Sequence, residues 1–210
     1  ITIAAGTTDG CATFLASGAT EPGEASTALG STIVLKLLSD RPIFAPELGI
    51  YSHRIGDTWL AGGASNCGGK TLLQFFSQEQ LASLESSLDP AKPTGNDYYP
   101  LPSVGERFPV SDSKLAPRLT PRPADDAQFL QGIYEAFARV EQTGFAKLAE
   151  LGGPKLRNVR HAGGGSRSTA WMTLRAQALG VPQHTAWSEE AAAGAARLAW
   201  RSLGHEIAFT

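Results

Sequence analysis

Cysteine and methionine are nearly missing from this chain, with 2 and 1 in 210 residues. Cys11 and Cys67 stand far apart and neither belongs to a C-x-x-C pair, so there is no disulfide framework and no thiol spacing for a metal or redox site. Two buried free thiols in a reducing cytoplasm are the expectation. A dominant charge is lacking too. With 18 Lys and Arg against 20 Asp and Glu the net charge is −2, and the scattered basic residues leave no electrostatic footprint for nucleic acid. No apolar run approaches the length of a bilayer span, so no membrane partner is expected, and the first residues have no basic stretch of the kind that opens a signal peptide. The four histidines, His53, His161, His184 and His205, show no i, i+4 pair and no acidic neighbours suited to a cage, so no protein-held metal is expected. Neither an internal repeat nor a Ser/His/Asp spacing that would support hydrolase chemistry is present.

Glycine and proline, by contrast, are plentiful at 23 and 13, and both are clustered. Two glycine-rich segments each follow an apolar run: Gly6-Thr7-Thr8-Asp9-Gly10 and Ala162-Gly163-Gly164-Gly165-Ser166-Arg167. A glycine turn between a strand and a helix lets backbone N–H groups approach a phosphate, and an Asp in such a turn is held where a substrate hydroxyl could meet it. The pair suggests phosphoryl transfer. Eight prolines fall between residues 89 and 123, a density that forbids a long helix and leaves room for short strands such as 98–101. Tyr98, Tyr99, Leu101 and Phe108 are too apolar for a solvated spacer, so this segment reads as an ordered crossing loop.

A hydrophobic share of 42% can bury one substantial core or two small ones. The pattern predicts a strand over 1–5, a helix over 9–17, and a hairpin pairing 25–29 with 33–38 through Gly30-Ser31-Thr32. A second hairpin is predicted over 50–54 and 58–63. A helical pattern starts at Asn66 with Leu72, Leu73, Phe75 and Phe76 apolar, and another runs over 79–88. Asp125 or Asp126 caps the longest helix, which reaches about Leu151 and buries Phe129, Ile133, Phe137, Val140 and Phe145. Then follow a strand over 158–161, a helix over 169–179 stopped by Gly180, a strand over 181–185, and a helix over 188–203 with Ser188 as its cap. An α/β layer beside antiparallel strands is the expected fold class.

Ala64-Ser65-Asn66-Cys67-Gly68-Gly69-Lys70-Thr71 fits a relaxed Walker A pattern between a strand and a helix. The first Gly, which makes the tight turn, is replaced by Ala, and no apolar strand ending in Asp follows to hold Mg2+. A P-loop ATPase is therefore the lesser alternative, against a helix start with small residues packed on a sheet.

Four motifs in order carry a resemblance: Gly6 to Gly10; Ala28-Leu29-Gly30-Ser31-Thr32 with Tyr51-Ser52-His53-Arg54; Gly62-Gly63-Ala64-Ser65-Asn66; and Gly163 to Trp171 followed by Glu190 to Ala196. Together they resemble the carboxy-terminal half of FGGY carbohydrate kinases, within them the D-ribulose kinase or xylulose-kinase-like branch. The resemblance implies an actin-like ATPase (ribonuclease-H-like) lobe with a mixed sheet and flanking helices, ATP bound with Mg2+ in a cleft between two lobes, and a small sugar as substrate. It also implies roles. Asp9 corresponds to the catalytic base that takes the proton of the sugar hydroxyl; its other reading is a helix N-cap. Gly30, Ser31 and Thr32 match a phosphate-binding turn. Gly63 matches backbone near the phosphates, or serves close packing alone. Gly164 and Gly165 match the adenosine motif, with Trp171 lining the adenine pocket or serving as a core aromatic. Ser168 stands where many relatives carry Asn, which implies an adenine contact that is shorter or made through water.

The family's first phosphate-binding turn and most of its sugar pocket lie in an amino-terminal lobe that this chain does not carry. The expected division is residues 1–16 as a remnant of that lobe, 17–187 as the nucleotide-binding lobe, and 188–210 as a terminal helix that returns to it. The expected role is the carboxy-terminal part of an ATP-dependent kinase releasing ADP and phosphorylating a ketopentose such as D-ribulose. The alternative is a non-catalytic nucleotide-binding or assembly lobe, whose first strand and last helix seek a partner lobe or a second copy in a homo-oligomer.

Overall fold

The computed structural model describes residues 3–205. Along the chain lie α1 (Asp9–Ser17), β1 (Glu24–Leu29), β2 (Ile33–Ser39), β3 (Tyr51–Ile55), β4 (Thr58–Ser65), α2 (Gly69–Leu72), α3 (Gln78–Leu84), α4 (Asp126–Glu150), β5 (Asn158–Ala162), α5 (Thr169–Leu179), β6 (Gln183–Thr185) and α6 (Ala191–Ser202). The strands form one sheet in the order β3-β4-β2-β1-β5-β6. Hairpin-connected β1 to β4 pair antiparallel, whereas β5 and β6, reached through helices, pair parallel to β1 and to each other. This is the expected mixed sheet with flanking helices, an actin-like lobe.

Alternation along the strands sends side chains to two cores. Ala25, Leu29, Ile33, Leu35, Leu37, Ala61 and Val159 meet α4, α5 and the proline-rich segment in the main core. On the other face Leu38 and Leu60 meet Cys11 and Phe14 of α1 with Ala19 in a smaller one. Both cysteines are free and buried. α4 earns its length from its cap and its stripe: the Asp125 carboxylate accepts from Ala127 N–H at 2.9 Å, and Phe129, Ile133 and Phe137 recur every four residues on the buried side.

Helices 9–17 and 169–179 stand where the sequence places them, and several other elements differ for identifiable reasons. Residues 3–8 are in no strand, and Ile1 and Thr2 lie outside the described residues. The helical run from Asn66 breaks after α2, because Ser77 restarts the helix with a capping box: its hydroxyl accepts from Gln80 N–H and the Gln80 side chain accepts from Ser77 N–H. α3 then ends at Leu84, and a 3-10 turn over Glu85–Ser87 follows. The proline-rich segment is ordered without a helix or strand of its own; the expected strand over 98–101 is a single bridge, Tyr99 with Arg118. β6 begins only at Gln183, since Pro182 has no N–H to give. Helix α6 starts at Ala191 rather than after Ser188: the Trp187 and Ser188 amides donate to the last carbonyls of α1, those of Ser17 and Ala16, and the Ser188 hydroxyl accepts from Glu190 N–H at 3.1 Å just ahead of the helix.

Candidate active site

Parallel β1 and β5 run side by side, with Ala28 opposite Ala162, so the turns that follow them open on the same edge of the sheet. β4 ends there too, since Ser65 pairs with Ile33 at the start of β2. Three glycine-bearing segments, 30–32, 66–69 and 163–167, therefore share one edge. Contacts between their backbones are close. Gly163 has φ +91°, and a Cβ there would lie 2.7 Å from the Leu29 oxygen; at Gly68 a Cβ would lie 2.8 Å from the Ser31 oxygen. Gly69 N–H donates to the Gly30 oxygen at 2.9 Å and Lys70 N–H to the Ser31 oxygen at 3.2 Å. The hairpin turn is thus gripped from both flanks.

Outward, the same edge is open. A Cβ on Gly164 would meet nothing within 4 Å, and one on Gly30 only the Thr32 oxygen at 3.9 Å. Ser31 is exposed, and among the described residues neither its hydroxyl nor that of Thr32 has a protein partner. Bare backbone, free hydroxyls and room for close approach fit a phosphorylated ligand.

Beside the 163–167 turn, the Ser168 hydroxyl caps α5 by accepting from Trp171 N–H at 3.1 Å and donates to the Glu85 carboxylate at 2.9 Å. Glu85 also accepts from Ala170 N–H at 2.9 Å, so a carboxylate sits on the positive end of α5. Glu85, Leu88, Thr169, Ala170 and Thr173 line a groove of about 500 Å³ next to that end. Nearby, burial pushes the Tyr134 phenol up to about 12.

Two expected contacts take another place. Trp171 is 2% exposed, stacked on Tyr134 at 5.1 Å and 10°, and a Cβ on Gly165 would overlap its ring. Trp171 and Gly165 thus back the turn from inside, the core-aromatic reading, instead of lining an open adenine pocket. Gly63 is buried in β4, where a Cβ would lie 2.5 Å from the Phe108 ring, which is the close-packing reading of this residue. The P-loop alternative fails on its amides: Gly69 and Lys70 N–H, which would cradle phosphates, are spent on the Gly30 and Ser31 carbonyls, and α2 is four residues long.

Asp9 is exposed as the first residue of α1; the cap position belongs to Thr8, so the N-cap reading does not hold. One carboxylate oxygen accepts from Gly10 N–H at 2.8 Å, and the other has no partner among the described residues. α1 is fixed by α6: a Cβ on Gly194 would overlap the Ala12 backbone, and Arg197 donates to the Leu15 oxygen at 2.7 Å. Among the described residues no group of His, Cys, Asp or Glu is gathered to hold a metal, and no helix is long and apolar enough to cross a membrane.

Sequence reasoning missed three buried charged side chains, two carboxylates and a guanidinium. Glu141, Arg175 and Glu106 are 1%, 0% and 3% exposed. The first two had a signal, since Glu141 follows Phe137 by four on the stripe of α4 and Arg175 follows Trp171 by four on α5. Glu106 lies in a loop without periodicity, where no such signal exists.

Residues 25–203 match the family model for the carboxy-terminal domain of FGGY carbohydrate kinases. The chain belongs to that family. Its fold is similar to a xyloylose kinase from Brucella ovis, with 27% identity and a TM-score of 0.79 over 93% of this chain and 42% of the other. A xylulose kinase from Rhodospirillum rubrum superposes at 24% identity and TM-score 0.75, covering 95% of this chain and 42% of that one. Plasmodium falciparum glycerol kinase with ADP shares the fold at 14% identity and TM-score 0.77, again over 95% and 42%. This FGGY chain thus spans about 42% of the length of these solved relatives.

Proposed function

We propose that this FGGY chain is the nucleotide-binding and base-bearing lobe of an ATP-dependent sugar kinase acting on a ketopentose such as D-ribulose. The observation that carries the reading is the shared edge: two turns, Gly30 to Thr32 and Gly163 to Gly165, lie side by side with open backbone in a chain whose residues 25–203 match the family. Ser31 and Thr32 supply hydroxyls to the phosphates, and Gly30, whose own N–H donates to the Thr32 oxygen at 3.2 Å, leaves room for their close approach. Gly164 leaves the adenosine moiety free to lie against the backbone, beside the groove of Thr169, Ala170 and Thr173, where Ser168 donates to the lining carboxylate of Glu85. ATP, when bound with Mg2+, supplies the electrophilic terminal phosphate.

Asp9 holds the sugar hydroxyl and accepts its proton through the oxygen not bonded to Gly10. In phosphoryl transfer little covalent work is left to the protein beyond positioning and charge, which here means one placed carboxylate and a fixed turn. An amino-terminal lobe would bring the sugar. Exposed Trp187, Trp200 and Leu203 around the α1 and α6 pair give that lobe an apolar surface to cover, which agrees with residues 1–16 and 188–210 belonging on its side; residues 206–210 lie outside the described residues.

Sugar-dependent ADP release, measured on the protein together with the amino-terminal lobe across a panel of pentuloses and polyols, tests the reading. Turnover with D-ribulose, lost by about a hundredfold or more in Asp9→Asn, is expected. Full activity of Asp9→Asn, or ADP release that ignores sugar, would refute it.

A further inference from the structure

Glu106 is a buried carboxylate, 3% exposed, with no cation on it among the described residues. Every group that touches it is a donor. One oxygen accepts from Asn66 N–H at 2.6 Å and Arg107 N–H at 2.8 Å; the other accepts from the hydroxyls of Ser65 at 2.6 Å and Tyr99 at 3.1 Å, with the Cys67 thiol at 3.7 Å. Its charge marks those neighbours: burial, then Glu106 itself, push both the Cys67 thiol and the Tyr99 phenol well above their ordinary values. A buried carboxylate costs several kcal/mol to desolvate unless hydrogen bonds replace the lost water, and here neutral donors do all of that work. Such a group is held in place for a reason other than pairing a cation.

Its partners identify the reason. Ser65, Asn66 and Cys67 are the end of β4 and the strap that leads to Gly68 and Gly69. Asn66 is clamped a second time, donating to the Gly105 oxygen at 2.9 Å and accepting from the Arg107 guanidinium at 2.6 Å. Ser65 Oγ also accepts from Cys67 N–H at 3.0 Å, and the Cys67 oxygen takes the N–H of Ile33, the first residue after the hairpin turn. Two and three residues on, Gly69 and Lys70 N–H hold the Gly30 and Ser31 carbonyls. An unbroken line of hydrogen bonds and backbone therefore leads from Glu106 to the turn.

We infer that Glu106 is a positioning residue for the phosphate end of the nucleotide: from the proline-rich segment it fixes the 65–70 strap, and the strap fixes the Gly30-Ser31-Thr32 turn. The inference rests on the proposed nucleotide site for its consequence, and on the hydrogen bonds alone for the strap. Turning the Gly30 and Ser31 carbonyls inward onto Gly69 and Lys70 holds the turn in the orientation that leaves the Ser31 and Thr32 hydroxyls without a protein partner among the described residues. Loosening the strap would blur that orientation without touching the 163–167 turn, which leans on Leu29 instead.

The test uses Glu106→Ala, Glu106→Gln and Ser65→Ala in the intact chain, with two readouts. Without ligand, amide exchange at Gly69 and Lys70 should accelerate about tenfold or more in Glu106→Ala relative to the β1 and β5 amides of the same protein. Glu106→Gln should stay within about twofold of wild type, because its carbonyl keeps the Asn66 and Arg107 amides and its NH2 can donate to Ser65 and Tyr99. Ser65→Ala, the milder change should Glu106→Ala not fold, should fall between them. Calorimetric titration with ATP and with adenosine should then show Glu106→Ala losing about tenfold in ATP affinity and about none in adenosine affinity. A merely structural residue would weaken both ligands alike, and that result overturns the inference. Unchanged exchange at Gly69 and Lys70 in Glu106→Ala, or in Ser65→Ala, also overturns it. Wild-type protein that binds ATP no better than adenosine refutes the proposed function instead, and the exchange data still decide the strap.

Discussion

Glu141 and Glu106 are both buried carboxylates, and the fold satisfies them in opposite ways. Glu141, on α4, takes the Arg175 guanidinium through two bonds of 2.6 Å and the Thr27 hydroxyl through one of 2.5 Å, tying α5 to α4 and β1. Glu106 takes neutral hydroxyls, amides and a thiol from five residues, of which only Arg107 adjoins it in sequence. The first lies under α5 against Thr27 of β1; the second holds the strap behind the 30–32 turn. An ion pair cannot lose one member cheaply, because the survivor is a stranded charge, whereas a carboxylate on neutral donors leaves behind only unsatisfied dipoles. The two buried carboxylates are therefore supports of unequal fragility.

The largest effect expected from that difference is in Arg175→Met, which strands the Glu141 charge and should cost about 3–5 kcal/mol of unfolding free energy in urea titration. Adding Glu141→Met should recover most of it, since replacing both members of a buried pair with apolar residues is often neutral. A double variant as unstable as the single would show that the charges are not what matters. Next comes Glu106→Ala, with a loss of about 1–3 kcal/mol from the donors it orphans. If it destabilises more than Arg175→Met, the comparison is wrong. Ser168→Ala, which removes the α5 cap but leaves Glu85 on Ala170 N–H, should cost about 1 kcal/mol in the same titration.

The smallest effect is in pH. His161 sits near the ion pair, and burial, followed by the Arg175 charge, holds its imidazole below the ordinary value of 6.5. The folded state keeps it neutral while the unfolded chain takes up a proton first. Stability is thus complete above 6.5 and is lost as pH falls from there through the folded value. His161→Gln should flatten the thermal midpoint over that window, and an unaltered pH slope would remove His161 from the account.

Much of this was legible in the residues. Strand alternation and helical stripes located α1, α4, α5 and both hairpins, because burial against one sheet imposes a period that composition cannot hide. The turn edge was legible as well, through Gly30 and Gly163. What escaped was whatever depends on contacts between distant segments. Ser77 and Ser188 look alike as caps, yet only Ser77 has its capping-box partner, while the Ser188 backbone is taken by α1. Gly63 and Trp171 belong to motifs by position and to the core by packing, and only Phe108 and Tyr134, remote in sequence, decide that. Glu106 shows the limit most plainly, since four of its donors come from residues 65 to 67 and Tyr99, and nothing local announces them.

The most direct measurement of the nucleotide site is amide hydrogen exchange on the wild-type chain with Mg-ATP, adenosine or neither. The account predicts slowed exchange at residues 30–32 and 163–165 with Mg-ATP, and at 163–165 alone with adenosine. Saturating Mg-ATP that protects neither turn, or that protects residues elsewhere on the lobe, would contradict it.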